Sequence, residues 1–124
     1  MNYALEFHDS EVRGVVAADG VVRLDFSAAA VRDADGERGW LPSVRLTLAD
    51  ATLAGDTAHA FGKIAEGALR HDGRAVARPA LPATLAGELE LTLRFANGAL
   101  LAARGSALTL AVSDDARFAP DLSC

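Results

Sequence analysis

Between Gly87 and Val112 the chain reads GELELTLRFANGALLAARGSALTLAV, and its first half alternates strictly. Leu89, Leu91, Leu93 and Phe95 alternate with Glu88, Glu90, Thr92 and Arg94. In an extended chain the four apolar side chains fall on one face, which predicts a half-buried β-strand. Asn97-Gly98 follows, a pair suited to the two positive φ angles of a type I′ turn, so the chain is expected to return antiparallel through Ala99 to Ala103. After Gly105 a third run repeats the pattern, with Leu108, Leu110 and Val112 inward and Thr109, Ala111 and Ser113 outward. This leucine face needs a second apolar surface, which the rest of the chain must supply.

Taken in order, Tyr3, Leu5 and Phe7 form a short opening strand, interrupted by the polar His8-Asp9-Ser10-Glu11 as a turn or bulge interrupts one. Val12 to Ala18, the Asp19-Gly20 turn signal, and the alternating Val22, Leu24 and Phe26 predict a hairpin. Ser27 to Arg32 suits either a helical turn or an extended segment. The charged, glycine-containing stretch Arg32 to Trp40 predicts an exposed loop. Beyond Pro42, Val44, Leu46 and Leu48 mark another strand. Ala51 to Gly67 lacks sustained periodicity and leaves strand, short helix and loop open. Ala68 to Val76 predicts a hairpin about Asp72-Gly73, and Arg78-Pro79-Ala80-Leu81-Pro82 a proline-stiffened connector. The tail from Asp114 to Cys124, with Phe118, Pro120 and Leu122, is expected to be loosely packed. ATLAG occurs at both Ala51–Gly55 and Ala83–Gly87, but the diverging sequence that follows makes coincidence the reading in so Ala- and Leu-rich a chain.

These elements predict one all-β domain over residues 1–124, an antiparallel β-sandwich or flattened barrel of about seven or eight strands. A parallel α/β fold is disfavoured, because tight turns stand where crossover connections would be needed.

Composition narrows the classes of function. The formal net charge is −5 and no Lys/Arg cluster occurs, so nucleic acid is not an expected partner. The hydrophobic share of 51% owes much to alanine, which leaves the core to the spaced leucines, valines and phenylalanines. No export signal and no long apolar run is evident, so neither secretion nor membrane association is expected. Cys124 stands alone, which excludes an internal disulfide and a paired-cysteine zinc site and suits a reducing cytoplasm. Eleven of the 12 basic residues are Arg, a codon-usage signature of a GC-rich bacterial genome.

Candidate chemistry concentrates in two His-Asp pairs. His8-Asp9-Ser10-Glu11 contains residue types used in acid–base and nucleophilic catalysis, with His8, Asp9 and Glu11 as the catalytic candidates. Sequence neighbours on a strand point to opposite faces, so the competing reading has Asp9 or Ser10 bonding the turn backbone while His8 packs on Tyr3 or Trp40. His71-Asp72 sits at the second turn. If both turns met at one end, His8, His71 and the aspartates could ligate a metal, with His71 and Asp72 as the metal candidates. His59 reads as a core or surface histidine. Trp40, Arg45 and Phe61 could line a small-molecule pocket, or Trp40 could simply anchor its strand. No nucleotide-binding, zinc-protease or α/β-hydrolase motif occurs, and no cofactor is expected.

The opening FHDSEV, followed by a hairpin ending in RLDF, resembles small uncharacterised bacterial all-β proteins, some similar to the immunity proteins of toxin systems. The likeness covers about the first quarter of the chain. It implies no active residues and points to a protein-binding module. The leading expectation is therefore a cytoplasmic bacterial domain that binds a protein partner or itself without catalysis, through an exposed sheet edge or a leucine-lined face. The alternative is a small-molecule-binding or metal-assisted enzyme built on the two His-Asp turns.

Overall fold

A computed structural model of the chain describes residues 2–121, so Leu122 and Cys124 lie outside the described residues. The strands are β1 (Tyr3–Ala18), β2 (Val21–Arg32), β3 (Arg38–Leu41), β4 (Val44–Ala49) and β5 (Thr52–Gly55). After a single 3-10 turn at Thr57–His59 come β6 (Gly62–His71), β7 (Arg74–Ala75), β8 (Ala80–Leu81), β9 (Ala83–Phe95), β10 (Leu100–Val112) and β11 (Ala119–Pro120). Hydrogen bonding runs β2-β4-β10-β9-β6-β1 and returns from β1 to β2, closing a six-stranded antiparallel barrel with the shorter strands outside it. The all-β expectation is met. The strand count differs from seven or eight because β5, β8 and β11 are too short to carry a readable period, whereas β7 is the return arm of the hairpin predicted about Asp72-Gly73.

The predicted leucine face fills the barrel. Leu89, Leu91, Leu93, Phe95, Leu108 and Leu110 are each at most 1% exposed, alongside Leu5, Leu24, Phe26, Leu46, Leu48 and Ile64 from the other strands. The face is therefore consumed inside the molecule and offers no contact surface to a partner.

β1 and β2 form the predicted hairpin, with Asp19 at φ 54° and Gly20 at φ 75° in the I′ manner. Ser27 to Arg32 is extended, because that half of β2 lies between β1 and β3 and the ladder overrides helix propensity. The expected loop from Arg32 is shorter than read, since Arg38–Leu41 already pairs with β2. At the other hairpin Asn97 is not among the residues with positive φ. Gly98 alone takes φ 92°, its N–H bonds the Phe95 carbonyl at 2.9 Å, and the Phe95 N–H bonds the Ala99 carbonyl at 2.9 Å. That is a three-residue loop with a type I turn, and the Asn97 side chain is freed to accept from the Ala99 N–H at 2.9 Å.

The run after Gly105 is no separate strand. β10 continues through a bulge at Gly105/Ala107, across which the buried positions change phase from Leu101 and Ala103 to Leu108 and Leu110. At the same level β4 gives way to β5 through Asp50, at φ 50°, and β9 bends at Gly87, at φ 131°. Ser106 Oγ ties the bends together by donating to Asp50 Oδ2 at 2.5 Å. The ambiguous Ala51 to Gly67 thus divides into β5, the 3-10 turn and the start of β6.

Part of the tail is packed after all. Phe118 stacks on Tyr3 with ring centroids 5.7 Å apart, and Ala119 and Pro120 pair with Trp40 and Gly39.

Candidate functional site

The polar cluster that interrupts the opening run is a bulge inside β1. Glu6 pairs with Ala30 and Glu11 with Ala28, so β1 carries extra residues opposite an uninterrupted β2. Asp9 sits there at φ 73°, a conformation that aspartate tolerates better than most residues. Ser10 is fully buried and closes the bulge, donating to the Glu6 carbonyl at 2.6 Å and accepting from the Ala30 N–H at 2.8 Å. The turn-serving reading of Ser10 is thus what the fold uses.

Opposite the bulge, β6 shares only two residue pairs with β1, Glu11 with Lys63 and Val12 with Gly62. His8 replaces part of the missing ladder: its Nδ1 donates to the Ala65 carbonyl at 2.8 Å, and its side chain is 70% exposed. Phe7 packs across Gly67, where an added Cβ would stand 2.5 Å from the Phe7 Cβ.

The charges outside the bulge form a network. Asp9 accepts from Arg38 at 2.8 Å and lies 3.0 Å from Lys63 Nζ, and Glu6 stands 3.5 to 3.7 Å from the guanidinium nitrogens of Arg32, Arg38 and Arg78. The Arg38 hydrogen bond, and after it the Lys63 contact, holds the Asp9 carboxyl below its ordinary 3.8, while the same contact raises Arg38. Arg38 also lies over Trp40, 5.7 Å from the ring centroid. Every cation here already has a carboxylate, so this cluster welds β1, β3, β6 and the β7–β8 connector together. Glu11, the third catalytic candidate, accepts from Ser27 Oγ at 2.6 Å.

His71 and Asp72 do the same work at their own turn. Asp72, at φ 51°, accepts the Glu88 N–H at 2.8 Å, and His71 Nε2 donates to the Ala86 carbonyl at 2.7 Å. Ala65, the partner of His8, lies on β6 six residues before His71, which separates the two histidines by about 20 Å of strand. The structure therefore does not bring the two His-Asp pairs around one cleft. Among the described residues no group of three or more His, Cys, Asp or Glu is placed to hold a metal ion. His59 is exposed and pairs with Asp56 at 2.7 Å, which lowers the Asp56 pKa. Trp40 and Arg45 line different shallow depressions, the first with Asp9, Glu11 and Lys63, the second with Arg13 and Asp25, and Phe61 borders neither.

Hydropathy alone did not point to the feature that stands open. β1 pairs with β2 from Gly14 to Ala18, beyond a bulge at Arg13, but on its other side the ladder to β6 ends at Val12. Among the described residues Arg13 to Ala18 has no strand on that side. Val16 is 47% exposed, Val21 on the other hairpin arm 37%, and Phe61, next to the Gly62 that pairs with Val12, 47%. Leu100, 55% exposed, follows the β9–β10 turn whose Asn97 Nδ2 donates to the His59 carbonyl at 2.9 Å. The signal in the sequence was the charge-free GVVAA from Gly14 to Ala18, visible only once strand order shows which side of it is bare.

Comparison with protein-family models, with curated proteins and with solved structures finds no match for this chain.

Proposed function

We propose that this chain is a protein-binding module without catalysis of its own, and that it binds by accepting a strand on the open edge of β1. The reading rests on one observation, that Gly14 to Ala18 is paired with β2 on one side and, among the described residues, with no strand on the other. Alternate backbone N–H and C=O groups of an edge strand point outward, ready for an added strand. Natural sheets blunt such edges with charge, proline, an inward-pointing lysine or a bulge; a bulge stands just before this edge at Arg13, but Gly14 to Ala18 itself has none of these. The exposed Val16, Val21 and Phe61 supply apolar contacts beside it. The same role is what the resemblance of the opening segment to immunity proteins implies. The scaffold is a barrel that we read as flattened, with two leucine-rich faces packed on one another.

The test compares the wild-type protein with Val16→Lys, which places a charge on the edge without touching the core. Proteins retained by the immobilised wild type and lost on the variant are purified, and hydrogen exchange is measured on the mixture. Protection appearing at Gly14 to Ala18 supports the reading. Identical retention by both proteins, with no protection at this edge and no self-association, removes it.

A further inference from the structure

The charges at the two ends of the open edge say what kind of strand fits it. The uncharged run Gly14 to Ala18 is flanked by Arg13 on one side and Asp19 on the other. Neither makes an ion pair among the described residues, although most other arginines do. Val16 stands midway between them.

Resting on the binding-module reading above, we propose that the occupant of this edge is a second copy of the same chain, paired antiparallel about a two-fold axis at Val16. In an antiparallel pair centred there, the bulge at Arg13 of each copy lies at the same end as the Asp19 turn of the other, so unpaired charges of opposite sign face each other at each end. The axis sets Val16 against itself, Val15 against Ala17 and Gly14 against Ala18. A two-fold axis brings residues onto themselves or near neighbours of the same sequence, and like charges opposite one another destabilise a ladder. An uncharged centre with opposite charges at its ends is what such an axis requires.

Pairing would extend the sheet through β2, β1 and the same two strands of the partner.

Sedimentation velocity over a range of protein concentrations tests the pairing. The wild type is expected to pass from monomer to dimer, and Val16→Lys to stay monomeric at concentrations where the wild type is dimeric, with its melting temperature little changed. Arg13→Asp sets acid against acid and is expected to weaken the dimer about tenfold at low salt, an effect that added salt diminishes. The register is read by oxidative cross-linking in a Cys124→Ser background, where Val16→Cys couples two copies and Ala18→Cys does not. A dimer unaffected by Val16→Lys, or cross-linking equal at both positions, overturns the proposal. A strictly monomeric wild type whose edge is still protected by a different protein overturns it too, while leaving the binding-module reading in place. A monomer with no edge-dependent partner removes both.

Discussion

His8 Nδ1 lies 2.8 Å from the Ala65 carbonyl, a side chain bonding across the one seam of the barrel where the backbone ladder is only two residue pairs long. The bulge that displaces β1 from β6 also presents the imidazole that spans the gap. The ring is 70% exposed, so His8→Ala is expected to cost only about 0.5–1 kcal/mol in denaturant unfolding, with faster amide exchange along the seam. Gly67→Ala, which drives a Cβ into Phe7, is expected to cost more, about 1–3 kcal/mol. The reverse order of the two effects would show that the seam is not held as described.

Ser10→Ala is the sharpest test of the bulge. It strands the Ala30 N–H and the Glu6 carbonyl in a buried position, for an expected loss of about 1–3 kcal/mol in chemical denaturation. A loss near zero would mean that neither hydrogen bond matters to the fold.

Asp9→Asn keeps the positive φ acceptable and removes the charge. The folded-state pKa of Asp9 is depressed by Arg38 and Lys63, so its contribution is present above the unfolded value near 3.8 and disappears as pH falls through the lower folded value. The variant is expected to be less stable by about 1 kcal/mol at neutral pH, after discounting for solvent screening. Thermal melts should show that gap holding above about pH 5 and closing below about pH 4. A gap that widens in acid would reverse the assignment.

Gly87 and Asp72 are expected to be coupled. Alanine at position 87 meets both φ 131° and the Asp72 carboxylate 2.6 Å from its Cβ, for a cost of about 2–4 kcal/mol. Combining Gly87→Ala with Asp72→Gly relieves the collision but not the backbone strain, so the double variant should be more stable than the sum of the single effects predicts. Strict additivity in equilibrium unfolding would show that the two residues do not touch.

The long strands were legible in the sequence wherever one face is buried and the other wet. Leu89 to Phe95 and Val44 to Leu48 announce themselves by period two because the barrel wall has just those two environments. Thr52 to Gly55 and Ala80 to Leu81 were illegible because they are short pieces laid against other strands, where pairing rather than patterning makes them extended. Asn97 misled for a related reason: its side chain has a job at the 3-10 turn that a two-residue loop would not permit. His8, Asp9 and Ser10 were found as a cluster, but which of them faced inward depended on a bulge whose length no local pattern encodes. The bare side of β1 is a fact about neighbours, and neighbours follow from topology.

That topology sets an order of events during synthesis. The β1–β2 hairpin closes locally, yet β6, which completes the ring on β1, begins only at Gly62, and β8 joins Tyr3 still later through Leu81. A chain emerging from the ribosome therefore carries its first hairpin with naked flanks until much of the remainder has been made, and long-range closures of this kind are slow. Most of those flanks are eventually clothed by the same polypeptide. The stretch around Val16 is not, and in crowded translation its siblings carry the same bare stretch.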